Sequence, residues 1–135
     1  AANHVLDKPL RYIGFDGAGK QVRDLMHPED LWDLLRRQLD GLEACSGRVF
    51  NAGGGREMSV SLLELTAICR ELTGHEVPMS SEARTSPVDI PVYLSDHARA
   101  TRELGWRPTW TPTEMMREIV EWVRANEDLL RPVFS

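Results

Sequence analysis

The sequence predicts an α+β fold of about four helices and a few short strands. Three observations carry this. Two Ser/Thr-x-x-Glu segments, Ser61–Glu64 and Thr111–Glu114, each stand before residues with helical spacing of apolar side chains. A leucine-rich stretch follows Pro28, and Pro suits the first position of a helix. The runs with strand character are only three or four residues long, and three such strands cannot build a large parallel sheet.

In chain order, Leu10-Arg11-Tyr12-Ile13 reads as a strand closed by the glycine-rich Gly14–Gly19, and Val22-Arg23-Asp24 reads as extended chain. The helix from Pro28 places Leu31, Leu34, Leu35, Leu39 and Leu42 on one stripe, expected to be buried. Arg48–Asn51 is expected as a second strand, stopped by Gly53-Gly54-Gly55. Ser61 and Glu64 then form a capping box, with Val60 and Leu65 as its hydrophobic staple. Leu62, Leu65, Cys69 and Leu72 make the inward stripe of that helix, and Gly74 supplies its left-handed stop. A short extended piece is expected around Val77, a polar loop from Ser80 to Pro87, and a brief strand at Val92-Tyr93-Leu94. Ser95 or Asp96 caps a helix running to Gly105. A last helix opens at the second capping box, with Met115, Met116, Ile119, Val120 and Val123 inward. No repeat or linker interrupts the chain, so residues 1–135 are read as one unit.

Composition narrows the function classes. The chain has 135 residues, 41% hydrophobic and 27% charged, which is ordinary for one globular domain. No apolar run is long enough for a membrane span, and the first residues have neither a basic start nor an apolar core, so no signal peptide is expected. The chain does not open on Met and reads as an excised piece or a processed product. Its net charge of −5 argues against a nucleic-acid partner, which would call for a basic excess or stripe. Lys8 and Lys20 are the two lysines; the other basic residues are arginine, the side chain suited to bidentate phosphate or carboxylate contact. A GC-rich coding sequence explains the same bias more simply. Cys45 and Cys69 lack metal or redox spacing and read as reduced cytoplasmic thiols.

Several motifs fall short of the chemistry they suggest. Gly14–Gln21 nearly matches a phosphate-binding P-loop, but Gln21 stands where a Ser/Thr hydroxyl should hold Mg²⁺. Gly53-Gly54-Gly55 follows a strand as a dinucleotide fingerprint would, but Met58 occupies the third glycine position, so a backbone-packing turn is the simpler reading. Neither Tyr12 nor Tyr93 has a lysine four residues on, so a Tyr-Lys redox pair is not present. His4, His27, His75 and His97 share no metal-binding spacing. Arg23 is more telling. It joins the glycine-rich turn to the helix start, where a cation beside helix amides would stabilise an anion. Pairing with Asp24 or Asp30 accounts for Arg23 equally well. Arg84, in the polar 80–87 loop, reads on its own as a solvated charge.

Four blocks, taken in order, carry a resemblance. They are Gly19-Lys20-Gln21-Val22-Arg23-Asp24 with His27 and Glu29-Asp30-Leu31, Phe50–Gly54 with Ser59–Leu65, Asp89–Asp96, and Glu103–Pro108. Together they resemble the latter half of the NAD-dependent nucleotide-sugar epimerases and dehydratases, within the extended short-chain dehydrogenases. Gly-Lys-Gln-Val-Arg-Asp and Ser-Leu-Leu-Glu-Leu look most like the CDP-sugar 2-epimerase (CDP-tyvelose epimerase) branch.

The resemblance implies that the Rossmann sheet, the NAD site and the Tyr/Lys pair lie in the other half, leaving no catalytic residue and no bound cofactor here. It implies transient oxidation of a sugar carbon by NAD in the parent enzyme, with this half binding the CDP- or UDP-sugar. Arg23 would grip the diphosphate, Arg84 would make a second phosphate contact, and Tyr12 and Phe15 would line the base or sugar pocket. The family often has Arg-x-Gly-Asp where this chain has Arg84-Thr85-Ser86-Pro87-Val88-Asp89. The isolated chain is expected to be inactive and cytoplasmic; without the Rossmann sheet the Pro28–Leu42 face and the Arg48–Asn51 edge lose their cover, so self-association or a rearranged fold is expected. The competing reading is a stand-alone binding or assembly module of the same fold.

Overall fold

The computed structural model of the chain describes residues 1–134. In order, its elements are α1 (Ala2–Val5), β1 (Leu10–Ile13), β2 (Val22–Asp24), α2 (Pro28–Asp40), α3 (Leu42–Cys45), β3 (Ser59–Ser61), α4 (Leu62–Thr73), β4 (Met79–Glu82), β5 (Val92–Tyr93), α5 (Ala98–Leu104), α6 (Pro112–Ala125) and α7 (Glu127–Leu130), with a 3₁₀ turn at Phe15–Gly17. Four helices reach seven residues or more, and the strands form one two-stranded and one three-stranded sheet. The fold is therefore α+β, as expected. The chain divides into two compact units that interleave along the sequence. One holds Ala1–Gln21, Ser61–Pro91 and the chain from Thr113; the other holds Val22–Val60 and Val92–Pro112.

In the first unit, β1 pairs in parallel with β4, with Tyr12 opposite Ser81. β4 falls inside the stretch expected to be a polar loop. Its residues Met79-Ser80-Ser81-Glu82 carry no apolar alternation, so only the backbone partner β1 makes them a strand. The capping box of α4 forms as expected: the Ser61 hydroxyl accepts from the Glu64 amide at 3.2 Å, and the Glu64 carboxylate accepts from the Ser61 amide at 2.8 Å. The next two orphan amides of that helix are also satisfied, Leu62 donating to Gln21 O at 3.2 Å and Leu63 to Gly19 O at 2.8 Å. Gly74 ends the helix at φ 75°. The Arg124 guanidinium, from α6, donates to the Thr73 carbonyl at 3.3 Å. The core of this unit is Val5, Val120 and Val123, packed with Ala1, Ala2, Leu72 and Leu130. Met115 and Met116 are buried as expected, but Ile119 is exposed although it shares the helix face of Met115 and Val123.

In the second unit, β2 lies between β3 and β5, pairing with β5 in parallel so that Arg23 sits opposite Tyr93. α2 starts at Pro28 and packs on α5 through Leu34, Ala100 and Trp106, with Met26, Phe50 and Leu104 around them. Asp96 accepts from the Ala98 amide at 2.8 Å where α5 begins, and Gly105 ends α5 at φ 64°. Two expectations fail here. Of the leucine stripe only Leu34 is buried; Leu31, Leu35, Leu39 and Leu42 are exposed, because α5 and Trp106 cover one line of the helix rather than a broad face. Arg48–Asn51 is not a strand. Its groups are taken by side chains instead: Arg99 donates to the Val49 carbonyl at 3.0 Å, Arg48 pairs with Glu103, and the Phe50 ring lies 5.1 Å from the Arg99 guanidinium and 5.6 Å from that of Arg48.

Candidate functional site

Arg23 is the middle residue of β2, half-buried, with its Nη1 donating to the Val22 carbonyl at 2.8 Å. What fixes this strand is the next residue. Oδ2 of Asp24 accepts from the Gly55 amide at 3.0 Å, the Ser95 amide at 3.2 Å and the Ser95 hydroxyl. Burial pushes the Asp24 carboxyl up, but those hydrogen bonds, led by the Ser95 hydroxyl, outweigh it and hold the group below its ordinary range. An ionised carboxylate with three donors on one oxygen is the expected state.

The glycine run completes this arrangement. A Cβ on Gly54 would stand 1.9 Å from the Leu25 carbonyl oxygen, and Gly55 sits at φ 63°. A side chain at Gly54 would displace the backbone beside β2, and one at Gly55 would strain the left-handed turn. The run is thus the backbone-packing turn its broken fingerprint suggested, filled by neighbouring chain and offering no cradle for a dinucleotide's phosphates. The Gly53–Gly55 turn therefore does not fit the pyrophosphate of NAD.

The helix amides near Arg23 are already in use. His27 caps α2, its Nδ1 accepting from the Glu29 amide at 3.1 Å, and its ring stacks on Trp110 at 4.0 Å between centroids. Asp30, buried, accepts from the Thr109 amide at 3.0 Å, the Thr109 hydroxyl at 2.8 Å and the Trp110 amide at 3.2 Å. The Asp30 carbonyl also accepts from the Trp106 indole at 2.8 Å. The helix start is thus capped from within, and the half of the anion reading that relied on its amides is not met. The guanidinium itself remains the candidate. Beside the Gly55 turn lies a cleft of about 460 Å³, lined by Arg56, Glu57, Ser95, His97, Thr101 and Arg102 among others.

The other three candidates lie in the first unit. Tyr12 is half-buried on β1; its hydroxyl donates to Thr66 Oγ1 at 2.8 Å, and its ring lies against Gly19. Phe15 opens the 3₁₀ turn at φ 47°, and its amide donates to the Thr85 hydroxyl at 2.7 Å. That bond brings Phe15 to the segment of Arg84, which is exposed. Tyr12 and Phe15 thus share a turn region with the Arg84 segment, while Arg23 belongs to the second unit. No helix opens at Lys20; the next element is β2, so the P-loop likeness ends at the sequence. Among the described residues, no group of three His, Cys, Asp or Glu could hold a metal ion, and no helix is long and apolar enough to cross a membrane. Sequence reasoning missed Asp24 and Ser95 as a pair. The signal for them was an Asp directly after Arg23 and a Ser directly after a brief strand.

These elements define an α+β unit pair in which short parallel strands present a guanidinium. No family model matches the chain. Individual relatives do. It is 36% identical over 103 residues to a UDP-glucose 4-epimerase of Corynebacterium glutamicum, covering 76% of this chain and 30% of that protein. To a CDP-paratose 2-epimerase of Salmonella typhi it is 30% identical over 118 residues, 87% of this chain and 33% of that one. A crystal structure of a UDP-glucose-4-epimerase from Stenotrophomonas maltophila, with bound NAD and formylated UDP-arabinopyranose, superposes with a TM-score of 0.75 at 30% identity. That match covers 95% of this chain and 38% of the other. Over the stretch it spans, the chain belongs to the nucleotide-sugar epimerases and dehydratases. It spans about a third of the length of the curated relatives it matches.

Proposed function

We propose that this chain is the substrate-binding portion of an NAD-dependent nucleotide-diphosphate-sugar epimerase, and that Arg23 grips the diphosphate. One observation carries this reading: Arg23 is a half-buried guanidinium on a strand whose next residue is tied by three hydrogen bonds. A planar guanidinium offers two parallel N–H donors to two phosphate oxygens, a geometry lysine does not reproduce. Binding energy made at the diphosphate is remote from the reacting sugar carbon, so it holds the substrate in place without taking part in the bond changes. NAD, when bound by the parent enzyme, supplies the hydride chemistry; its site is proposed to lie outside this chain, and the chain alone is proposed to be inactive.

The relatives' names span UDP- and CDP-sugars, so the shared chemistry is a nucleoside diphosphate sugar. Within that class we assign a CDP-sugar 2-epimerase, from the wording of the Gly19–Asp24 and Ser61–Leu65 blocks. Arg84, Tyr12 and Phe15 keep the substrate-contact roles that the resemblance implies as separate assignments, each open to its own alanine variant. A cytoplasmic location and self-association of the isolated chain complete the reading.

Titration calorimetry with CDP and with UDP tests it. Arg23→Ala should weaken binding by about tenfold to a hundredfold, the worth of hydrogen bonds to a charged group. Unchanged affinity would remove Arg23 from the site. Tighter binding of UDP than of CDP would remove the CDP assignment and leave the class.

A further inference from the structure

We propose that Asp24 is the positioning residue for Arg23, with the Ser95 hydroxyl as its side-chain donor. The inference rests on the reading of Arg23 as the diphosphate grip. Three segments distant in sequence meet at one oxygen: the end of β2, the Gly53–Gly55 turn and the residue after Leu94. In a strand, neighbouring side chains project to opposite faces. Tying Asp24 on one face therefore fixes the direction in which Arg23 leaves the other.

The turn is shaped for this bond. A Cβ on Gly53 would stand 2.1 Å from the Ser95 hydroxyl and 2.9 Å from Asp24 Oδ2, so a side chain there would push apart the two groups that must meet. Gly55 contributes its amide from φ 63°, a conformation that aims the N–H at the carboxylate at little steric cost. Val22-Arg23-Asp24, Gly53-Gly54 and Leu94-Ser95-Asp96 belong to three of the blocks that make the chain resemble its relatives, and Gly55 directly follows the second. Gly55 and Ser95 both donate to Asp24 Oδ2, which joins the three segments. A guanidinium on a long flexible stem loses much of its freedom when it binds an anion. Fixing its strand beforehand reduces that cost.

The test uses this chain with ¹⁵N labelling, two ligands and five proteins: wild type, Asp24→Ala, Ser95→Ala, Ser95→Thr and Arg23→Ala. The Arg23 Nε–Hε resonance, assigned by its loss in Arg23→Ala, reports the guanidinium's setting without any ligand. It should shift or broaden in Asp24→Ala and in Ser95→Ala, return in Ser95→Thr, and leave the Arg37 signal, held by Asp33 and the Leu104 carbonyl, unmoved. Affinity for UDP and CDP should fall about tenfold in Asp24→Ala and severalfold in Ser95→Ala, with Ser95→Thr near wild type. Should Asp24→Ala fail to fold, Ser95→Ala carries both readouts. An Arg23 resonance unchanged in the folded variants would overturn the positioning role, as would nucleotide affinity that survives both while Arg23→Ala loses it. If Arg23→Ala binds as well as wild type, the diphosphate reading fails, and the resonance alone decides whether Asp24 positions Arg23.

Discussion

The two units solve the same problem by different means. The first is held by an aliphatic cluster of Val5, Val120 and Val123 and by well-capped helices. The second has a cluster around Trp106 and adds two carboxylates, Asp24 and Asp30, whose side chains accept hydrogen bonds from Gly55, Ser95, Thr109 and Trp110. Aliphatic packing tolerates sliding; hydrogen bonds to a carboxylate do not, since their strength falls steeply with misalignment. In the unit that carries Arg23, the directional bonds to its loops converge on two carboxylates.

The largest expected break in this comparison is Trp106→Ala. The side chain is fully buried and its indole donates to the Asp30 carbonyl, so its loss should cost about 3–5 kcal/mol. Hydrogen exchange read by mass spectrometry should show amides of residues 22–60 and 92–112 losing protection before those of the first unit. Uniform loss across the chain would mean the two units unfold together.

Acid separates the units next. His4 is buried in the first unit, and burial, aided by the charges of the amino terminus, His75 and Arg70, lowers its pKa below 6.5. A lowered histidine favours the neutral form in the folded state, so this contribution is complete above pH 6.5 and is lost as pH falls below it. Asp24 is also lowered, from 3.8, so its contribution persists above that pH and is lost only as pH falls through the folded value. Exchange protection should therefore weaken in the first unit on going from pH 7 to 5, while the second holds until below about pH 4. His4→Gln should abolish the first step.

Much of this was legible in the sequence where the signal is local. Pro28 at a helix start, the Ser61–Glu64 box and the stops at Gly74 and Gly105 all formed as read, because each is satisfied within a few residues. β4 was not legible, since Met79-Ser80-Ser81-Glu82 is a strand only through β1. The Arg48–Asn51 strand failed for the converse reason: its extended chain has arginine side chains as partners instead of a strand. The Leu31–Leu42 spacing did identify a helix, but periodicity says which residues share a face and not what covers it. At the site, Arg23 stood out from its neighbours, whereas the Asp24–Ser95 bond spans 71 positions and depends on the turn at Gly53–Gly55.

Two smaller effects sharpen the contrast. Ser61→Ala should cost the first unit about 1 kcal/mol by removing the cap of α4, measurable as a shift in chemical denaturation. Leu39→Ala should change stability by less than about 0.5 kcal/mol, because Leu39 is 63% exposed. A loss of about 2–5 kcal/mol there would mean that the leucine stripe is covered after all.

The most direct measurement of the role given to Arg23 is a crystal structure of the chain soaked with CDP. Phosphate oxygens should lie about 2.7–2.9 Å from the Arg23 guanidinium, with the three hydrogen bonds to Asp24 intact. A diphosphate seated elsewhere, leaving Arg23 out of its contacts, would contradict it.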